Sequence, residues 1–171
     1  MHSTISNDTR PARWTLRDLA LGALAGVIGG LAMGLVGMLV AAVMGFSVWK
    51  PLAEIAGVFS PALASTSPTF NVSAVLLGTL VHFGISAVLG MVFAAVFRGI
   101  FNLPSSWGFP LLYGFIYGIV IWFISSQILA NVLISGRDNT PSFIAQHLVF
   151  GAVTGLAFGL LRPARAYLPR Y

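Results

Sequence analysis

Two histidines occupy matching places in two long apolar segments of the chain. His82 opens the run His-Phe-Gly-Ile-Ser-Ala-Val-Leu-Gly-Met-Val-Phe, and His147 opens His-Leu-Val-Phe-Gly-Ala-Val-Thr-Gly-Leu-Ala-Phe. Both runs read His, four residues, Ala-Val, one residue, Gly, two residues, Phe. A titratable ring within an apolar segment is costly and usually has a partner. His82 and His147 are therefore the first candidate site residues.

The chemistry open to a matched pair of imidazoles is axial ligation of an iron or another metal. Neutral imidazole binds haem iron and other metal ions well. If the two segments are neighbours, His82 and His147 are candidate axial ligands of a haem b. On this hypothesis Gly90, Gly151 and Gly155 leave clearance for the flat ligand.

Three alternatives stay open for the histidines. A pigment magnesium needs only one of them, whereas a single transition-metal ion needs further ligands, for which Gln127 and Gln146 are the candidates. The simplest alternative is a hydrogen bond from each ring to a neighbouring helix, worth about 0.6 kcal/mol on average in a membrane.

The composition decides the environment of these residues. Of the 171 residues, 57% are hydrophobic and only 8% are charged, whereas a soluble domain carries about 25% charged residues. Because the apolar runs are long and do not alternate, we expect membrane-spanning helices. The spans are predicted at about 19–46, 72–97, 108–134 and 142–161, and a short interfacial helix is predicted over 51–60 with an irregular loop as the alternative.

Charge predicts the orientation of the chain. Seven arginines are expected on one side of the membrane, namely Arg10, Arg13, Arg17, Arg98, Arg162, Arg165 and Arg170. Only Lys50 and Arg137 are expected on the other side, so we predict that both termini lie in the cytoplasm. The net charge of +5 is spread singly beside apolar segments, which argues against a nucleic-acid partner. The absence of cysteine excludes thiolate chemistry.

Small residues recur along the spans at intervals of three or four. The ladders, which include the two histidines, are Gly22, Gly26, Gly30, Gly34, Gly37, Ala41 and Gly45 in the first span; Gly78, His82, Ser86, Gly90 and Ala94 in the second; Gly114 and Gly118 in the third; and His147, Gly151, Gly155 and Gly159 in the fourth. Such ladders let helix backbones approach closely in lipid. We therefore predict an all-α, tightly packed four-helix bundle, in which the matched histidine runs suggest two tandem hairpins. Convergent use of glycine, alanine and phenylalanine is the alternative to duplication.

The functional prediction follows from how little chemistry the spans contain. No aspartate, glutamate, lysine or arginine lies between their ends, and no common hydrolase, zinc or nucleotide motif occurs. We therefore expect a non-enzymatic accessory or packing subunit of a membrane complex or homo-oligomer. The alternatives are a bis-histidine haem or pigment protein for electron transfer and a small-solute channel or transporter.

Residues 82–165 resemble the YagU-like inner-membrane proteins. The matching elements are His82 followed by Ser86 on a glycine- and alanine-rich span, Trp107 with Leu111 and Gly114, and Gln146-His147-Leu148 opening a span that ends in arginine. The resemblance implies a small bacterial inner-membrane protein linked to acid stress, without an established reaction or cofactor. It carries over no catalytic residue.

Overall fold

The chain is an all-α integral membrane protein, as the sequence predicted. The computed structural model describes residues 15–63, 70–100, 108–129 and 141–162. These residues form five α-helices: α1 Leu16–Val43, α2 Lys50–Phe59, α3 Val72–Ala95, α4 Gly108–Ile124 and α5 Pro141–Leu161. Helices α1, α3, α4 and α5 are long and apolar enough to cross a membrane.

Short irregular helical turns follow three of the helices. A 3₁₀ turn, Pro61–Leu63, follows α2; a π-helical turn, Val96–Ile100, prolongs α3; and another, Ser125–Leu129, prolongs α4. The third predicted span, 108–134, extends beyond the π-helical turn Ser125–Leu129, and its last residues lie outside the described part of the chain.

Helix α1 ends three residues before the predicted boundary at Phe46. Gly45 adopts a φ of 76°, a left-handed conformation that glycine enters without steric cost. The N–H of Phe46 then donates to the carbonyl of Ala41 at 2.8 Å, which closes the helix in the Schellman manner. Gly45 was therefore wrongly included in the packing ladder of the first span, since it lies beyond the helix and would contact nothing even with a side chain.

Helix α1 also begins earlier than the predicted residue 19. The side chain of Thr15 accepts a hydrogen bond from the N–H of Asp18, and the carboxylate of Asp18 accepts one from the N–H of Thr15 at 2.9 Å. This reciprocal capping box satisfies two of the N–H groups that a helix start leaves open. It places the carboxylate of Asp18 in the first turn, where only 2% of the residue is exposed.

Helix α1 is the central element of the bundle, since its backbone packs closely against both α3 and α5, and α5 in turn packs against α4. Helices α3 and α4 meet through side chains. The hydroxyl of Tyr117 on α4 donates to the carbonyl of Leu89 on α3 at 2.7 Å. The helices carrying His82 and His147 therefore lie mainly across the bundle from one another, with little backbone contact.

The first hairpin, α1 with α3, and the second hairpin, α4 with α5, pack through glycines at corresponding positions. Gly26 of α1 lies against Gly90 of α3, and Gly114 of α4 lies against Gly155 of α5; none of these positions has room for a Cβ atom. Gly90 and Gly155 are separated by the same 65 residues that separate the two histidines. The glycine seam of the first hairpin is thus repeated in the second.

The end of the bundle where α1 begins and α5 ends, here the terminal half, is filled by aromatic rings. The aromatic cluster consists of Phe93, Phe97, Tyr113, Tyr117 and Phe158, whose neighbouring ring centroids lie 5.3 to 5.9 Å apart. Edge-to-face and offset contacts at this spacing are favourable. Beyond the cluster, Arg162 Nε lies 2.8 Å from the Asp18 carboxylate and so ties the end of α5 to the start of α1.

Candidate functional site

A cavity of about 330 Å³ occupies the opposite half of the bundle, here the cavity half. Its walls come from the second half of α1, the first halves of α3 and α5, helix α2, and the turn that follows α4. His82 and His147 both line it. The two residues singled out by their repeated spacing thus meet at one space, although their helices scarcely touch.

Helix α2 covers this cavity. Leu52, Ile55 and Phe59 recur at helical spacing along α2, and all three line the cavity. Leu52 is only 8% exposed, and its carbonyl lies against Gly78 of α3, where a larger residue would not fit. The start of α2 is therefore packed into the bundle, where a glycine lets its backbone approach α3, whereas Phe59 at its end is 63% exposed.

The ring of His82 is oriented by α1. Its Nε2 atom lies 2.8 Å from the carbonyl oxygen of Gly30. Because a carbonyl oxygen only accepts hydrogen bonds, Nε2 must carry the proton. In the neutral ring, Nδ1 is then a hydrogen-bond acceptor. The ring also lies beside Gly30 and Gly34, where an added Cβ would stand 3.5 and 3.6 Å from Nε2, an ordinary van der Waals distance. The close contact of Gly30 is with Ser86 instead.

The ring of His147 is oriented within its own helix. Nδ1 lies 2.8 Å from the carbonyl oxygen of Phe143, one turn earlier, and the Phe143 ring contacts the imidazole edge-to-face at 4.4 Å. The same reasoning assigns the proton to Nδ1 and makes Nε2 the acceptor. His147 is 5% exposed, so its orientation is fixed by packing as well as by the hydrogen bond.

Both rings hydrogen-bond a main-chain carbonyl through one nitrogen, as metal-binding histidines usually do with the nitrogen that does not bind the metal. The nitrogen left as an acceptor differs between them, since it is Nδ1 in His82 and Nε2 in His147. A bis-histidine haem stays a prediction from sequence.

The glycines expected to leave clearance for a haem are in helix contacts. Gly90, Gly151 and Gly155 each face backbone of a neighbouring helix at the place where a Cβ would lie, and none of them lines the cavity. The space beside the histidines is left instead by Gly34 and Gly37 of α1, which do line it. The clearance prediction was therefore attached to the wrong glycines, because the ladder in the sequence does not say which helix each glycine faces.

Two further polar residues line the cavity, Gln146 of α5 and Ser125 at the end of α4. Ser125 begins a π-helical turn, a feature frequent at functional sites. Gln127, the other candidate metal ligand, bonds to Ser126 at 3.5 Å and does not line the cavity. Among the described residues no three His, Cys, Asp or Glu side chains come together as a metal site.

The described residues that line the cavity include no aspartate, glutamate, lysine or arginine. The buried charge lies at the opposite end, in the ion pair of Asp18 with Arg162. The sequence interpretation missed this pair, although the spacing of Thr15 and Asp18 is the signal of a capping box and could have drawn attention to it. Apart from the histidines, the cavity wall is apolar or carries neutral polar groups.

Comparison with known proteins adds no identification. No family model matches the chain, and no curated protein or solved structure matches it. The resemblance to YagU-like proteins stays a prediction from sequence, and any functional inference depends on the geometry of the cavity.

Proposed function

We propose that this integral membrane protein binds one small, neutral and mainly apolar molecule in the cavity between its helices. The observation that carries the proposal is that His82 and His147, one from each hairpin, line the same cavity. A membrane-embedded pocket that is mostly apolar and has a few converging polar groups is the usual form of a ligand site.

The size and lining of the cavity indicate the kind of ligand. Its volume of about 330 Å³ lies at the lower end of the range of about 300 to 1,000 Å³ for ligand pockets. Without a lysine, arginine or carboxylate in the described wall, a charged ligand would be desolvated without a counter-charge, which is costly. A neutral molecule of roughly one substituted ring fits these limits.

The alternative of an accessory or packing subunit has less support from the contacts. That hypothesis came from the glycine-rich seams together with how little chemistry the spans contain. The contacts of Gly26, Gly90, Gly114 and Gly155 are between helices of this same chain. The ladders therefore do not require a second subunit, and the accessory role and the solute channel stay predictions from sequence.

A matched pair of substitutions on α3 tests the proposal. Val81 lines the cavity, whereas the adjacent Leu80 is 72% exposed on the outer surface. We expect Val81→Phe to fill part of the cavity and Leu80→Phe to leave it unchanged. The full chain is extracted in mild detergent, and the small molecules that accompany it are identified by mass spectrometry.

The expected result is a compound that accompanies the wild-type protein and Leu80→Phe but is strongly depleted from Val81→Phe. Thermal unfolding of all three proteins controls for misfolding. Equal recovery of every compound from the folded Val81→Phe variant and the wild type would contradict ligand binding in this cavity.

A further inference from the structure

We propose that the ligand carries a hydroxyl group, of the phenol or alcohol type, which bonds to His82 and Gln146 at once. This inference rests on the proposed function and specifies the chemical class of the ligand. Its basis is the complementary hydrogen-bonding character of the two side chains, which a hydroxyl can satisfy and a carbonyl or an ether cannot.

The first half of the argument is the tautomer of His82. The carbonyl of Gly30 accepts from Nε2 at 2.8 Å, which leaves Nδ1 as an acceptor in the neutral ring. A ligand that bonds to this nitrogen must donate a hydrogen. His147 has the same character with its nitrogens exchanged, since its Nδ1 donates to Phe143. The main chain therefore fixes both imidazoles as hydrogen-bond acceptors.

The second half is the amide of Gln146, which lines the cavity one residue before His147. None of the hydrogen bonds among the described residues involves this side chain. An amide in an apolar environment is unfavourable unless it is hydrogen-bonded. Its NH₂ group can therefore donate to a molecule in the cavity.

A hydroxyl group meets both requirements, because it supplies one donor and two acceptor lone pairs. It can donate to Nδ1 of His82 while it accepts from the amide of Gln146. An ether or a ketone can accept from Gln146 but leaves His82 without a donor. A hydrocarbon leaves both polar groups unsatisfied, so affinity should rise from hydrocarbon to ether to hydroxyl.

Three probes of nearly equal shape test this order: thymol, a phenol; thymol methyl ether, which only accepts; and p-cymene, which lacks oxygen. Binding is measured by thermal unfolding of the full chain in nanodiscs at increasing probe concentration. Val81→Phe is measured in parallel, so that partition of each probe into the lipid is subtracted. We expect thymol to bind about tenfold more tightly than its methyl ether, the effect of a single hydrogen bond near the upper end of its usual range.

Two substitutions assign the effect to the residues named. His82→Leu removes the acceptor nitrogen together with the bond to Gly30, so the preference for thymol over its ether should disappear while the protein stays folded. Gln146→Leu should weaken thymol and the ether alike. The ¹⁵N resonance of Nδ1 in His82 should move on addition of thymol and stay unchanged with p-cymene.

The outcomes separate the two proposals. If all three probes bind equally and Val81→Phe abolishes that binding, the cavity is a ligand site but its selectivity for a hydroxyl is disproved. If none binds more strongly to the wild type than to Val81→Phe, the hydroxyl inference is overturned. The mass spectrometry of co-purified compounds then decides independently whether the cavity has another ligand.

Discussion

The two halves of the bundle are held together by the same device and filled in opposite ways. In both, glycines bring neighbouring backbones into contact. In the terminal half the remaining space is taken by the aromatic cluster and closed by the Asp18–Arg162 pair. In the cavity half it is lined by two histidines, a glutamine and apolar side chains around an open volume. The glycine seams therefore determine the fold, and the residues between them determine whether a site exists.

The filled half provides the stability that an open half lacks. Phe97 and Phe158 are almost completely buried, and each such ring makes many dispersion contacts. An open volume has no partner atoms on one side, so the residues that line it lose such contacts. Helix α2, which packs on α3 through Leu52 and Gly78, partly compensates by covering the cavity. The division suggests that the terminal half holds the helices at a spacing that keeps the cavity open.

The largest loss of stability is expected from a substitution in the glycine contact between α1 and α3. Gly90→Ala places a methyl group on the backbone of Gly22 and Gly26, which cannot move aside as a side chain would. We expect the free energy of unfolding to fall by about 3 kcal/mol or more. Gly84→Ala on the same helix is the control, since nothing lies within 4 Å of the added group. Equal unfolding temperatures for the two variants would disprove the claim that close backbone contact at Gly90 stabilises the bundle.

The next effect concerns buried charge at the terminal end. Asp18→Asn removes the ion pair with Arg162 but keeps an oxygen for the helix cap. We expect a loss of about 2 kcal/mol, less than for a fully buried pair because 28% of the Arg162 side chain is exposed.

The control for Asp18 is the same change in the cavity half. Glu54 pairs with Lys50 at 3.8 Å, with both side chains well exposed, and Glu54→Gln should cost only about 0.3 kcal/mol. Chemical unfolding of both variants measures the difference. A similar loss in the two variants would show that the terminal ion pair contributes no more than a surface pair.

The sequence could predict the bundle because composition and long apolar runs decide it almost alone. The repeated spacing also singled out His82 and His147, which line one cavity. It could not reveal that Gly30 orients one ring and Phe143 the other, because that depends on which carbonyl lies beside each nitrogen.

The ends of α1 were misjudged for a different reason. The cap formed by Thr15 and the left-handed turn at Gly45 are local signals, but the hydropathy pattern obscured them by running smoothly through both. The cavity itself was not predictable, since it depends on how α2 folds back over the bundle, and no pattern in residues 47–71 specifies that path.

A smaller change, this time a gain in stability, is expected at Thr154 of α5, which lies where the two halves of the bundle meet. Its hydroxyl lies against Gly29 in a completely buried position and has no hydrogen-bond partner in the described part of the chain. Thr154→Val keeps the shape and removes the unsatisfied group, so we expect stabilisation by about 1 kcal/mol. Ser126→Ala, which removes a hydroxyl bonded to Phe123, should not stabilise. A lower unfolding temperature for Thr154→Val would show that the hydroxyl has a partner in the membrane.

The smallest loss of stability is expected when one interhelical hydrogen bond is removed from either half. Tyr117→Phe removes the bond to Leu89 in the aromatic cluster, and His82→Leu removes the bond to Gly30 at the cavity. Each bond links two helices through a backbone carbonyl, and each should contribute about 0.6 kcal/mol, the average in membranes. Stability alone would therefore not distinguish the two halves.

The response to thymol should distinguish these two variants. If the cavity half is a binding site, thymol should still stabilise Tyr117→Phe as it does the wild type, because the aromatic cluster is already filled. His82→Leu should lose most of that stabilisation, since the acceptor nitrogen is gone. Equal stabilisation of the two variants by thymol would mean that thymol acts through the lipid or elsewhere on the bundle. The cavity half would then not be a binding site for thymol.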